Sequence, residues 1–244
     1  MNERERNQNQ AGSEIKTFSV PFAVGEIKEN IIINTTNRSE LSKEQIILQA
    51  FKFHSQGNIQ EAAKYYQLSI NQGFEDHRVF SNYGVILKDL GKLEEAEISQ
   101  RKAIELKPDF ANSYLNLGII YRELGKPEEA EKSIRKAIEL KPDFVQGYSN
   151  LGNILKDIGS LKEAELSYRK AIEIKPDFAE AYSNLGLVLK DLGNSEGALK
   201  AYSNSIALQS NFSNALMNRA QLFFNNKELD KALRESDSCN TMRS

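Results

Sequence analysis

Gly84, Gly118, Gly152 and Gly186 stand 34 residues apart, and this spacing constrains the fold more than anything else in the chain. Ala62, Ala96, Ala130, Ala164, Ala198 and Ala232 form an unbroken series at the same period. Gly57, Gly91, Gly125, Gly159 and Gly193 form a third, and Pro108, Pro142 and Pro176 a fourth. A fixed period of this length marks a repeat architecture, in which each unit is one supersecondary element that buries its apolar stripe only by stacking on its neighbours. Six units follow, 43–76, 77–110, 111–144, 145–178, 179–212 and 213–244, after an N-terminal segment 1–42. A single compact bundle would not place six alanines in one register.

Each unit reads as a pair of helices. In 145–178, Tyr148, Leu151, Gly152 and Leu155 fall at i, i+3, i+4 and i+7, one helical face. Gly159 ends that helix, because glycine takes the left-handed cap conformation without penalty. Leu161, Ala164, Tyr168, Ala171 and Ile172 form a second periodic run, closed by Lys175-Pro176. Asp177 to Glu180 reads as a capping box for the next helix, and Ser42 to Gln45 as one for the first. Pro127 fits the first turn of a second helix, where a missing N–H costs little. The small residue at the eighth slot of a unit lets two helix backbones approach, and Phe80, Tyr114, Tyr148 and Tyr182 at the fourth slot then wedge into the neighbouring unit. The fold class is an all-α solenoid of six helical hairpins.

These positions resemble the tetratricopeptide repeat family over residues 43–244. The motif is an aromatic at the fourth slot, Leu-Gly at the seventh and eighth, Ala at the twentieth and twenty-seventh, and Pro at the thirty-second. The middle units match closely. The first departs with Ile46, Ala50, Ser69 and Phe74, and the sixth with Leu216, Arg219, Ala220, Cys239 and Ser244. Terminal repeats are expected to be atypical, and Cys239 is read as a small buried residue in an alanine slot. The resemblance implies a right-handed superhelix whose first helices line a concave groove.

The sixth slot of five units holds Asn82, Asn116, Asn150, Asn184 and Asn218; Leu48 breaks the series. Asparagine is about 0.5 kcal/mol worse than alanine in a helix interior, so five on one ridge ask for a reason. A carboxamide carries a donor and an acceptor and can pair with the backbone of an extended peptide without reading its side chains. Two readings stand. One is an asparagine ladder that binds polypeptide, similar to that in the repeat arm of the O-linked N-acetylglucosamine transferases. The other is a structural bond to a neighbouring helix. At the twelfth slot, Lys88, Arg122, Lys156 and Lys190 make a charged rim, each followed by an acid: Asp89, Glu123, Asp157 and Asp191. That rim either selects ligand charge or compensates itself, and self-compensation is preferred. The basic clamp of chaperone-binding relatives is disfavoured, because its inner slots hold Ser81, Ser149 and Ser183 here.

Charge and composition exclude several functions. Lys and Arg total 32 against 34 Asp and Glu, a net charge of −2, without the basic excess a nucleic-acid binder needs. No apolar run of membrane-spanning length occurs. Two histidines, His54 and His77, and one cysteine are too few for the usual four-ligand zinc site. No catalytic constellation and no cofactor motif is visible, so the chain is read as a non-enzyme. The expected partner is a protein or peptide in extended conformation, bound in the groove, with no nucleic acid and no membrane. The alternative is the substrate-docking arm of a larger glycosyltransferase-type enzyme whose catalytic part lies elsewhere. Without a signal-peptide pattern the expected location is cytoplasmic. Within 1–42, residues 1–14 are polar and expected to be disordered. Residues 18–24 and 31–33 are apolar enough to cap the first repeat or to occupy the groove; capping is preferred. The sixth unit lacks a polar closing helix, which suggests a fragment of a longer protein or end-to-end self-association.

Overall fold

The computed structural model describes residues 42–241, with side chains described through residue 227. The readings placed on residues 1–41, and the alanine-slot reading of the Cys239 side chain, lie outside the described set. Eleven α-helices make up the described residues, and no strand occurs among them. In chain order they are α1 (Lys43–Ser55), α2 (Ile59–Asn71), α3 (His77–Asp89), α4 (Leu93–Leu106), α5 (Ala111–Glu123), α6 (Pro127–Leu140), α7 (Val145–Asp157), α8 (Leu161–Ile174), α9 (Ala179–Asp191), α10 (Ser195–Leu208) and α11 (Ser213–Thr241). The chain divides into two compact units at Gly147–Tyr148. In the first, α1 pairs with α2, α3 with α4 and α5 with α6, and each pair packs on the next. In the second, α9 pairs with α10 and packs on both α8 and α11.

Local signals set the helix ends. Ser42 caps α1 in a full capping box: its hydroxyl accepts from the Gln45 N–H, and the Gln45 side chain accepts from the Ser42 N–H. Pro127 occupies the first turn of α6. The glycine closing the first helix of each of the first five units has φ between +70° and +80°, a region a side chain rarely enters. The box read at Asp177–Glu180 does not form. The cap of α9 is Phe178, with no side-chain cap bond. Its ring is instead buried, with the Lys175 ammonium 5.6 Å from its centroid.

One packing relation recurs inside the hairpins. A Cβ built on Gly152 would lie 2.7 Å from the Tyr168 ring, and one on Gly186 would lie 2.6 Å from the Tyr202 ring. The eighth slot of a first helix therefore receives the twenty-fourth-slot side chain of its own second helix. Gly84 meets Gln100 and Gly118 meets Ile134 in the same way. All of these partners are fully buried. The alanines at the twentieth slot, Ala62 to Ala198, are also fully buried. Outward faces carry solvated ion pairs one turn apart, such as Arg101–Glu97, Arg135–Glu131 and Arg169–Glu165, each adding about 0.3–0.5 kcal/mol.

The last unit differs from its expected form. Its helix α11 runs unbroken from Ser213 to Thr241. At the fifteenth slot, where the other five units have their turn glycine, the chain has Lys227, and this residue is helical. The described residues thus form five hairpins followed by one long helix, and the missing turn follows from the missing glycine.

Gly186→Ala tests the packing relation. Alanine gains about 1 kcal/mol of helix propensity over glycine, but forcing a methyl against a buried ring costs about 1–3 kcal/mol. Urea unfolding should show a net loss of stability. A gain would show that the gap has room for a methyl group.

Candidate functional site

The sixth-slot asparagines sit on first helices, one turn or less from the buried stripe. In the unit ending at Gly147, Asn82 on α3 is 4% exposed and Asn116 on α5 is 2% exposed. The Asn82 Nδ2 donates to the Tyr66 hydroxyl at 3.2 Å. That hydroxyl also shares a 3.0 Å hydrogen bond with His54 Nδ1. Three helices, α1, α2 and α3, are joined through these three side chains. Burial pushes the Tyr66 hydroxyl pKa well above its usual value and pushes the His54 imidazole down. In the next hairpin the twenty-fourth slot holds Gln100, whose amide turns back on its own first helix. Its Nε2 donates to the Ser81 carbonyl at 2.7 Å and its Oε1 accepts from the Ser81 hydroxyl at 3.2 Å.

The unit beginning at Tyr148 repeats the arrangement with a third partner. The Tyr168 hydroxyl donates to Asn153 Oδ1 at 2.6 Å. The Asn184 Nδ2 donates to the same oxygen at 3.3 Å. Asn150 is 1% exposed, whereas Asn184 and Asn218 are partly exposed. Two hairpin-to-hairpin contacts thus run between a sixth-slot asparagine and the twenty-fourth-slot tyrosine of the preceding unit, directly at Asn82 and through Asn153 at Asn184. The Tyr202 hydroxyl and Asn153 Nδ2 are buried without a hydrogen-bond partner. Polar atoms sealed in this way are usual sites for a bridging water.

The tyrosines at the twenty-fourth slot are the residues that sequence reasoning missed. Their spacing was visible, since Tyr66, Tyr168 and Tyr202 are separated by multiples of 34. Nothing in the spacing says where a hydroxyl points.

The twelfth-slot cations lie close to the acids that follow them. Lys88 Nζ is 2.6 Å from Asp89 Oδ1 and 3.9 Å from Glu123 Oε1, with 13% of its side chain exposed. Lys190 Nζ is 3.8 Å from Asp191 Oδ1. Arg122 and Lys156 are half-buried at the equivalent positions. Among the described residues no group of His, Cys, Asp and Glu is placed to hold a metal ion. No helix among them is long and apolar enough to cross a membrane.

Asn82→Ala removes one of two bonds to a buried hydroxyl and should cost about 1 kcal/mol in chemical unfolding. A change within error would show the bond carries no net stability. The His54 ring adds a pH dependence. An unfolded histidine protonates near pH 6.5, and the buried folded ring protonates lower. Below about pH 6.5 the unfolded chain therefore binds more protons, and stability should fall as pH falls. His54→Gln should flatten that slope; an unaltered slope would assign it elsewhere.

Comparison with known proteins agrees with this geometry. A model described as TPR repeat matches residues 84–125 and 152–193. Two described as Tetratricopeptide repeat match 111–144 and 183–237. No curated protein sequence matches the chain. Among solved structures, the MamA protein is similar with a TM-score of 0.60 and 23% identity, over 69% of this chain and 92% of that one. YrrB, described as a TPR protein with an unusual peptide-binding site, is similar at 0.60 and 21%, over 73% and 92%. TTC0263, a TPR protein of Thermus thermophilus, is similar at 0.61 and 16%, over 75% and 100%. These likenesses establish the fold. The family matches together span 84–144 and 152–237, more than half of the sequence, and the chain belongs to the tetratricopeptide repeat family.

Proposed function

We propose that this chain is a non-enzymatic protein-interaction scaffold that holds an extended polypeptide along its first helices. The observation that carries the reading is the row of carboxamides at one helical position, of which Asn184 and Asn218 remain partly exposed. Each offers a donor and an acceptor, the pair that a peptide backbone presents in return. The second slot adds further polar side chains on the same helices, with Arg78, Asn112, Glu180 and Asn214 half-buried. Asp89, Glu123, Asp157 and Asp191 are exposed one residue after the rim cations. The similar protein YrrB, with its unusual peptide-binding site, supports a peptide ligand. The absence of a basic excess in the sequence argues for a protein partner over a nucleic acid, and the single cysteine suits a cytoplasmic setting.

In this reading the asparagines divide their work. Asn184 and Asn218 contact the ligand, Asn184 while one of its amide N–H groups also donates to Asn153 Oδ1. Asn82, at 4% exposure, ties its helix to Tyr66 of the preceding hairpin, and Asn116 and Asn150, at 2% and 1% exposure, are too buried to meet a ligand. Lys88 and Lys190, lying beside their own acids, leave the rim close to neutral. The ligand is therefore recognised through its backbone more than through its charge.

A peptide array probed with the wild-type chain and an Asn184→Ala/Asn218→Ala variant tests this. Two lost hydrogen bonds of about 1 kcal/mol each should weaken binding roughly 10- to 30-fold with helicity unchanged. Equal binding by the variant would remove the asparagines from the site. No binding by the wild type would remove the scaffold reading.

A further inference from the structure

The first part of α11 is stacked on one side and bare on the other. Ala215 and Leu222 are buried, and α11 packs on α9 and α10. Leu216, Met217, Phe223 and Phe224 are exposed, with Phe223 at 49% and Phe224 at 61%. Ala220 is exposed as well. Leu216, Ala220 and Phe223 fall at i, i+4 and i+7, so the exposed residues form one stripe. In units two to five the slots that correspond to Ala220 and Phe223 are covered. The eleventh slot holds buried Leu87, Tyr121, Leu155 and Leu189, and the eighth holds a glycine pressed against its own second helix. The Ala220–Phe223 part of the stripe is therefore the face that a folded-back second helix would cover, with Phe224 at its edge in the slot of the rim cations.

The segment that would cover it is present in the sequence. Leu229, Ala232 and Cys239 occupy the slots filled by Leu161, Ala164 and Ala171 in the fourth unit. The twentieth-slot alanines of the first five units are fully buried, and Ala232 stands at the next position of the 34-residue spacing. In α11 this segment continues the same helix past Lys227. At 1.5 Å rise per residue, Ala232 lies about 18 Å along the axis from Ala220. While the helix is unbroken, the segment cannot fold back on its own stripe. The same segment of a second copy can reach it.

We propose that two copies of this chain pair by exchanging residues 229–241. Each copy lays that segment on the Ala220–Phe223 face of the other, with Phe224 at its edge. The contact is reciprocal, as two-fold pairing requires, and it forms two complete sixth hairpins from two chains. Lys227 at the turn position favours the exchange over closure within one chain, because a non-glycine residue makes the reversal costly.

Light scattering of the full chain tests the pairing, alongside two variants. Wild type at about 50 µM should have twice the 27.6 kDa chain mass, a self-association in the micromolar range. Lys227→Gly restores the turn and should shift the protein to monomer at that concentration. Phe224→Glu places a charge on an exposed position, where folding is not at risk, and should raise the concentration for half-dimerisation at least tenfold. Circular dichroism on each sample checks that helicity is retained. A monomeric wild type overturns the proposal. So does a dimer that survives Lys227→Gly, or one indifferent to Phe224→Glu.

Discussion

The absence of a side chain at the eighth slot is the constraint on which the hairpins depend. Where that slot is glycine, a second-helix side chain occupies the space a methyl group would need. The occupant varies among Gln100, Ile134, Tyr168 and Tyr202, but each is fully buried. The close approach of the two helices is what repeats, and the alanines of the twentieth slot share in it. Dense interiors of this kind transmit a change of one methyl group directly into strain.

The identity of the occupant then decides how one hairpin is tied to the next. Tyr66 carries its hydroxyl to the following first helix, where it meets Asn82. Tyr168 meets Asn153 on its own first helix, and Asn184 of the following helix reaches the same oxygen. Gln100 likewise turns back on its own first helix, at Ser81. The same asparagine series is thus structural in part. Its poor helix propensity is offset at Asn82 and Asn184 by bonds between elements. The exposure that remains at Asn184 and Asn218 is what the interaction reading draws on.

The repeat, the helix pairs and most helix ends were legible in the sequence because they are set within one or two turns of chain. The Ser42–Gln45 box, Pro127 and the turn glycines act on their immediate neighbours, so a pattern of residues is enough to find them. The Asp177–Glu180 box was misread because a tertiary contact won: burial of Phe178 sets that cap position instead of a carboxylate. The sixth hairpin was inferred from Ala232, whose slot reports packing between helices. The local series told a different story, since the turn glycines end at Gly193 and Lys227 stands where the next would be. Where the two disagree, the local signal governs whether a helix ends. The burial of Asn82, Asn116 and Asn150 was not legible, because it depends on the angle between hairpins, which the period leaves free.

A double-mutant cycle on Gly152 and Tyr168 tests the central constraint most directly. If the eighth slot is closed by the ring, Gly152→Ala should lose most of its cost in a Tyr168→Ala background, where the new methyl enters the vacated space. Unfolding free energies should then show a coupling of about 1–2 kcal/mol between the two sites. Additive effects within about 0.5 kcal/mol would contradict the account, since they would mean that the glycine is there for some reason other than the side chain it faces.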